Sequence, residues 1–582
     1  MTSAGTGTYE GTCHVKGHAE GEVLASDLEL SFFGGVDPNS GEIVDRHHPL
    51  SGQVLTDRVL VIPSGRGSCS GSAIMLELLL NGRAPKAVIF KRNEDILTLG
   101  VIVAEEMFGR SIPIVVLTPD DFESVRRSEY VAVEDGRVKI GEAAGTDPEA
   151  ARAVSSLPEI QLSETDSAFL AGRYGKAIQV AMRIISRISQ VQGASRLIDV
   201  TQAHVDACIY TGPASLKFAE KMKDWGGRVS VPTTLNAISV DQKRWRAQGI
   251  EESLGAPADR LANLYVAMGA QPTFTCAPYL LGQQPGFGAN VAWSESNAVV
   301  FANSVLGART MKYPDFLDVA VAMTGRAPLA GPYVDEHRKP GVIIEVPTFD
   351  GADDAFFPLL GYTVGAIAGS RIPLVAGLKK NSMSLDDLKA FGAAFATTSS
   401  APMFHIVGVT PEAPAILRLM ESSAESVDRV VLDRSRLASE WSELNSATQT
   451  DVDLVSLGNP HFSLTEIWKL SALCRDRTKS ERVTLVVATN RVVYDSAKQE
   501  GLIDQLERFG VRFVTDTCWC MITDPVIPPR TRTVMTNSGK YAHYGPGLTG
   551  RSFHFGSLAA CVDAACAGTN RLSTPSWLRS EN

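Results

Sequence analysis

A chain of 582 residues is too long for one ordinary hydrophobic core and predicts two or three domains; 44% hydrophobic and 21% charged residues is a folded, globular composition. A formal charge of −10, with no block rich in Lys and Arg, excludes the basic footprint that nucleic acid or an anionic membrane surface requires. Nine cysteines, sparse and odd in number, exclude a disulfide scaffold and direct attention to reactive or metal-bound thiols.

Residues 1–15 lack the continuous apolar run of a secretory signal. The least charged stretches, 268–294 and 355–370, are broken by Gly, Pro, Gln, Ser and Thr and do not form a membrane span. A cytoplasmic protein is expected. In residues 16–140, strand-like runs at 50–55 and 58–63 ("RVLVIP") lead to a glycine-rich turn, and "SAIMLELLLNG" (72–82) reads as a helix stopped by Gly82. "KAVIF" (86–90) and "IPIVVL" (112–117) read as strands around the helical "VIVAEEMFG". This alternation predicts a small α/β layered domain over 1–145, with a loop-rich first 50 residues packed around it.

Within it, "IPSGRGSCSGS" (62–72) places three glycines and four serines between strand and helix. Small residues let backbone amides approach an anion, and the following helix aims its positive end there. A strand-to-helix turn with no ligand would have the same composition, and the GxxxxGK[ST] spacing of a nucleotide loop is absent. Ser68, two residues after Arg66, is the candidate general base, since amide donors and a guanidinium would stabilise its alkoxide.

Residues 146–166, with small residues and few apolar anchors, read as an exposed linker before a large α/β domain over 167–582. Apolar residues three and four apart make 166–193 one helical segment stopped at Gly193. "GVIIEVP" and "VTLVVATN" read as strands, and "DDLKAFGAAFA" as a helix. Cys276 in "TFTCAPYLLG", Cys518 in "TDTCWCMITDP" and Cys561 in "FGSLAACVDAACAG" lie in polar surroundings, although their spacing satisfies no local cluster motif. Cys520 competes with Cys518 and Cys566 with Cys561 as possible ligands, and each thiol could equally be a buried core residue. Cys69 neighbours the candidate base and could react with thiol reagents.

The block 288–316 carries Glu295, Ser296, Asn297, Asn303 and Ser304, and helical spacing would put Ser296 and Asn303 on one face. Such groups need partners, either a ligand or a structural network. His405 precedes a strand, and Thr410 with Pro411 reads as a helix start. Lys540 in "TNSGKYAHYGPGLTG" is a candidate clamp for a substrate carboxylate, with Arg551 the alternative.

These segments together resemble the aconitase X family in its fused, single-chain form. The marks are "FFGGVDPNSGEIVDRHHPLSG" and "IPSGRGSCSGS" in the small part. In the large part they are "VPTTLNA", "TCAPY", "WSESNAVVFANSVLGART", "FHIVGVTPEA", "GNPHFSL", "DTC", "TNSGKYAHYGP" and "FGSLAACVDAA". The resemblance implies an aconitase-like fold: a small swivelling α/β domain and a large multi-layer α/β domain, with the active site in the cleft between them. It implies an iron-sulfur cluster held by Cys276, Cys518 and Cys561, with [2Fe-2S] favoured over [3Fe-4S] or [4Fe-4S]. Ser68, Arg66 and Lys540 are the expected catalytic residues, and Asp37, Ser296, Asn297, Asn303 and His405 the expected substrate-binding ones. The implied activity is a hydro-lyase acting on a small hydroxy amino acid, dehydrating cis-3-hydroxy-L-proline to Δ1-pyrroline-2-carboxylate. No separate small subunit, nucleic acid or membrane partner is expected, and the oligomeric state is left open between monomer and homodimer. Two-subunit relatives that dehydrate mevalonate 5-phosphate have "GCPH" where this chain has "GNPH", so Asn459 departs from them towards the hydroxyproline type. That substrate is the enzymatic alternative, and an iron-responsive RNA-binding protein the alternative of another class.

Overall fold

The computed structural model describes residues 7–45, 48–141, 157–379, 383–422, 427–571 and 574–579. The chain divides into two units, one of Met1–Thr233, Leu264–Ala270 and Tyr313–Ala330, the other of Thr234–Asn263, Gln271–Lys312 and Gly331–Asn582.

The first unit is built on an eight-stranded mixed sheet in the order Gly7–Glu10, Arg137–Ile140, Tyr130–Glu134, His18–Ala25, Val59–Ile62, Ala87–Phe90, Ile114–Val116, Thr12–Val15. Its two outermost strands are consecutive in the chain, separated only by Gly11. A Cβ there would lie 2.5 Å from Val115 Cγ1 and 2.6 Å from the Val116 carbonyl, so only glycine lets the chain turn this tightly against the neighbouring strand. The central strands Val59–Ile62, Ala87–Phe90 and Ile114–Val116 are parallel, linked by the helices Gly71–Asn81 and Ile96–Phe108. Both helices stop at left-handed glycines, Gly82 and Gly109, as the sequence pattern requires. Gly100 brings the helices into backbone contact, since a Cβ there would meet the Ser72 carbonyl at 2.6 Å, and this fixes the helix that follows the serine turn.

Three sequence expectations change in this unit. Residues 50–55 are not a strand: Gly52 sits at φ 81° and its amide bonds to the Ile43 carbonyl, folding the segment into a turn with one bridge from Val54 to Glu42. The first 50 residues are more than loop, supplying the strands Gly7–Glu10, Thr12–Val15 and His18–Ala25, whose polar alternation concealed them. The segment 166–193 is two helices, Glu164–Leu170 and Lys176–Val191, separated at Gly172 and Gly175, both at positive φ. Of the expected linker, residues 146–156 lie outside the described residues; Ser163 then opens the first of these helices in a reciprocal cap with Asp166.

The second unit contains two all-parallel sheets. One runs His405–Ile406, Pro373–Ala376, Val342–Glu345, Asp428–Val431; the other runs Val511–Thr515, Thr484–Thr489, Leu454–Phe462, Thr533–Thr536, Ser552–Phe555. All nine residues of Leu454–Phe462 are buried, as expected of a parallel strand covered on both faces. Its pairing register shifts between Leu457 and Phe462, and this irregularity explains how a central strand holds Pro460. The helix expected at Thr410 begins instead at Ala413, because the Thr410 hydroxyl turns back to the Ile406 amide at 2.9 Å.

The helices Phe356–Ala368 and Leu385–Thr398 cross with their backbones touching. A Cβ on Gly361 would lie 2.2 Å from the Phe391 carbonyl, and one on Gly365 2.2 Å from Thr398 Oγ1. Gly361→Ala is therefore expected to lower stability by about 1–3 kcal/mol through overpacking, read as a lower urea midpoint. Gly282→Ala, where a Cβ meets nothing within 4 Å, should leave the midpoint unchanged.

Candidate functional site

Three thiols converge in the second unit. Cys276 follows Thr275 in the loop entering the short helix Pro278–Leu280. Cys518 and Cys520 lie in the turn after the strand Val511–Thr515. Trp519 between them is fully buried, and its indole donates to the Leu457 carbonyl at 2.7 Å, fastening the turn to the irregular strand. Cys518 contacts both Cys276 and Cys520 through their sulfur atoms; the Cys276 contact and burial push its thiol up to about 12, against the opposing pull of Cys520. Cys520 is raised further, by Cys518 and then by burial.

The same irregular strand brings polar groups to the thiols. The His461 amide donates to Cys276 Sγ at 3.4 Å and the Asn459 side-chain amide to Cys520 Sγ at 3.5 Å. Such N–H donors favour sulfur in its thiolate form. The His461 ring is wholly buried, with its titration lowered to about 4 by burial. Its Nε2 lies 2.8 Å from the Thr517 carbonyl, which cannot donate, so Nε2 carries the proton and Nδ1 accepts from the Thr275 hydroxyl at 3.1 Å.

A buried cation faces this group. Lys540, 9% exposed in the first turn of the helix Gly539–Thr549, donates to Glu295 Oε1 at 2.9 Å. Burial alone would lower its titration, but Glu295, and after it Cys520, Cys518 and Cys276, hold it well above the usual lysine range. Glu295 is fixed in turn, capping the helix Ser296–Phe301 through the Ala298 amide and bonding Asn297. Asn297 also donates to the Cys276 carbonyl at 2.9 Å and accepts from the Tyr279 hydroxyl at 2.6 Å. Lys540→Met would leave Glu295 buried without its cation, costing about 3–5 kcal/mol, whereas adding Glu295→Gln should recover much of the loss in a thermal melt.

The remaining expected ligand lies elsewhere. Cys561, on the helix Leu558–Ala567, is wholly buried in an aliphatic core with Leu457, Val487, Met535 and Leu558. Burial, then the charges of Asp354 and Asp563, raise its thiol, and none of the three converging thiols contributes. Cys520 is the thiol that joins Cys276 and Cys518. The Cys-x-Cys spacing was its signal, since an extended turn presents residues two apart to one point. Among the described residues no group of three or more His, Cys, Asp or Glu side chains has the arrangement of a metal-ion site.

The substrate-binding set divides. Asn297 belongs to the thiol surroundings, and the Ser296 hydroxyl lies 3.4 Å from Glu295 Oε1. Asn303 and His405 belong to a separate buried network. Asn303 bonds the Thr310 amide and carbonyl and the Pro402 carbonyl, and His405 Nε2 lies 2.8 Å from the carbonyl of Arg338, itself paired with Glu412. The face expected to unite Ser296 and Asn303 is lost because the helix passes into a π-helical turn over Ala302–Leu306. Asp37 closes its own turn, accepting from Ser40 Oγ at 2.7 Å and the Asn39 amide at 3.0 Å, and these bonds lower its titration. Arg551 is held by Asp524 and the Thr531 carbonyl.

In the first unit Ser68 is half-buried in the loop between the Gly65–Arg66 strand and the helix Gly71–Asn81. Its Oγ accepts from the Ser70 amide at 3.3 Å and lies 3.4 Å from Ser70 Oγ. The Arg66 guanidinium is half-exposed and pairs with Asp45 at 3.0 Å. Gly67, at φ 87°, lets the loop pass Ser31, whose Oγ a Cβ would meet at 2.7 Å.

Four family models match consecutive parts of the chain: the aconitase X swivel domain at 8–141, first domain at 159–336, second domain at 340–442 and third domain at 452–567. A cis-3-hydroxy-L-proline dehydratase from Hypocrea jecorina is 58% identical, covering 98% of this chain and 97% of its own length. One from Pseudomonas aeruginosa is 52% identical, covering 97% of each chain. A solved structure of Thermococcus kodakaraensis aconitase X in its holo-form matches with a TM-score of 0.63 and 31% identity, over 70% of this chain and 100% of its own.

Proposed function

This chain belongs to the aconitase X family, and on that premise we propose that it is an iron-sulfur-dependent hydro-lyase converting cis-3-hydroxy-L-proline to Δ1-pyrroline-2-carboxylate. The carrying observation is identity of 58% and 52%, over nearly the full length, to two dehydratases of that substrate. Swivel and large-domain models match within one chain, so both parts are supplied without a separate small subunit. No described helix is long and apolar enough to cross a membrane. None of the nine cysteines is joined in a disulfide, which supports a reducing, cytoplasmic setting.

The thiol group fits an iron-sulfur centre by its donor chemistry. Three sulfurs converge, two of them receive N–H donors, and a buried ammonium offsets thiolate charge. Cys276, Cys518 and Cys520 would hold the centre, in the [2Fe-2S] form implied by likeness to the hydroxyproline type. When bound, it supplies a Lewis acid for substrate oxygen atoms and so assists departure of the 3-hydroxyl. Ser68, as alkoxide, takes the proton from C2. Lys540 keeps positive charge beside the thiols, in place of clamping a substrate carboxylate. Loss of H⁺ from C2 and OH⁻ from C3 gives an enamine and water, and the enamine tautomerises to the cyclic imine. No electrons are gained or lost.

Anaerobically purified, iron-loaded protein should form Δ1-pyrroline-2-carboxylate from cis-3-hydroxy-L-proline and leave mevalonate 5-phosphate and citrate unchanged. Turnover of mevalonate 5-phosphate instead would overturn the substrate assignment.

A further inference from the structure

The ladder of the strand Leu454–Phe462 is interrupted between Leu457 and Phe462, and in a buried strand the backbone groups of that stretch need other partners. The Asn459 carbonyl accepts from the Ser538 hydroxyl, and the Phe462 carbonyl from the Thr489 hydroxyl at 2.8 Å. His461 is pinned at both of its backbone groups. Its amide donates to Cys276 Sγ at 3.4 Å, and its carbonyl accepts from Lys389 Nζ at 3.1 Å. Lys389 is 2% exposed and is held by the carboxylates of Glu466 and, at 3.6 Å, Asp386. The imidazole therefore projects from a fixed point.

Its two nitrogens go to the two loops that carry the thiols. Nδ1 accepts from the hydroxyl of Thr275, the residue immediately before Cys276, at 3.1 Å. Nε2 donates to the carbonyl of Thr517, the residue immediately before Cys518, at 2.8 Å, and so fixes the peptide that leads into that thiol. The Thr275 hydroxyl also accepts from the Ala277 amide at 3.1 Å, folding the loop around Cys276, while the Thr275 amide donates to the Leu235 carbonyl at 3.1 Å. Thr275, His461 and Thr517 are all buried, which keeps water from competing for these bonds. An imidazole is rigid and carries its donor and acceptor at a fixed separation, so it spaces the two loops as well as joining them. A histidine placed only to fill a core has no reason to direct its amide and both ring nitrogens to a thiol or to the residue preceding one.

We propose that the His461 ring is a positioning residue for the iron-sulfur centre, a strut that sets the placement of Cys276 against Cys518 by tying the residue before each to opposite ring nitrogens. This rests on the reading of those thiols as ligands of the centre. His461 acts through the cysteines and touches neither substrate nor iron. Partners that orient ligands from behind in this way typically govern how tightly a metal site holds its metal.

The test compares His461→Leu, His461→Gln, Thr275→Val, Thr275→Ser and Cys518→Ala after anaerobic reconstitution, recording iron release to excess EDTA and the visible circular dichroism of the centre. His461→Leu and Thr275→Val, which remove one or both bonds of the strut, should release iron about 10–100-fold faster than the parent and alter the visible dichroism. His461→Gln keeps a donor and an acceptor on one rigid amide, and Thr275→Ser keeps the hydroxyl; both should recover most of the iron retention and the parent spectrum. Parent-like release and spectrum in His461→Leu and Thr275→Val, with Cys518→Ala unable to hold iron, would overturn the strut alone. His461→Gln and Thr275→Ser as impaired as His461→Leu and Thr275→Val would overturn it too, by assigning the defect to packing. A Cys518→Ala that holds iron as the parent does would remove the reading of the thiols as ligands, and the strut with it. If His461→Leu does not fold, the two Thr275 variants decide.

Discussion

Ser68→Ala should lower turnover of cis-3-hydroxy-L-proline by about 10³-fold or more while leaving iron content and thermal stability near those of the parent. General-base catalysis contributes about 10²–10⁴-fold, and a base with no neighbouring substitute loses nearly all of it. The hydroxyl makes only long contacts of 3.3 and 3.4 Å to Ser70, so its removal costs the fold less than about 1 kcal/mol. Steady-state kinetics alongside iron analysis checks this, because a variant that lost both activity and iron would implicate folding. Arg66 should matter much less. Its guanidinium pairs with Asp45, and Arg66→Gln should reduce kcat by less than about tenfold, as expected for an exposed charge pair.

Cys518→Ala should abolish the visible absorption and iron content of the anaerobically reconstituted protein, and activity with them. Cys518 is the thiol that contacts both others, so its loss leaves two separated sulfurs. Cys520→Ala should behave similarly and Cys561→Ala should not. Cys561 fills an aliphatic core, and its substitution removes one sulfur at a cost of about 1–2 kcal/mol while the iron centre is retained. Iron and sulfide analysis of the three variants separates the assignments: iron lost from Cys561→Ala and kept in Cys520→Ala would restore the ligand set expected from sequence. For a [2Fe-2S] centre the parent should contain two irons and two inorganic sulfides per chain.

Where the sequence was legible, physics left a local signature. "RVLVIP", "KAVIF" and "VTLVVATN" are continuous aliphatic runs because parallel strands are buried on both faces, and the helices between them end at Gly82 and Gly109 because a left-handed stop suits glycine. His18–Ala25 was missed because a strand with one wet face and a polar composition resembles loop. The site was legible in part. Cys276 and Cys518 come together, and the Cys-x-Cys spacing was the one local sign that Cys520 rather than Cys561 joins them; that Cys276 meets this turn is a property of the fold. Asn303 and His405 show the same difficulty for polar residues. In an apolar segment, an amide bonded to Thr310, Pro402 and Arg338, or an imidazole bonded through Nε2 to Arg338, looks in sequence like one awaiting substrate. The π-helical turn over Ala302–Leu306, which moved Asn303 out of phase with Ser296, has no sequence signature.

The central claim is tested most directly by following cis-3-hydroxy-L-proline with the iron-loaded protein in D2O by NMR. Elimination from C2 and C3 followed by tautomerisation predicts Δ1-pyrroline-2-carboxylate carrying solvent deuterium at C3, with no oxidant consumed. Unchanged substrate in the presence of a full complement of iron, or a product that keeps its 3-hydroxyl, would contradict it.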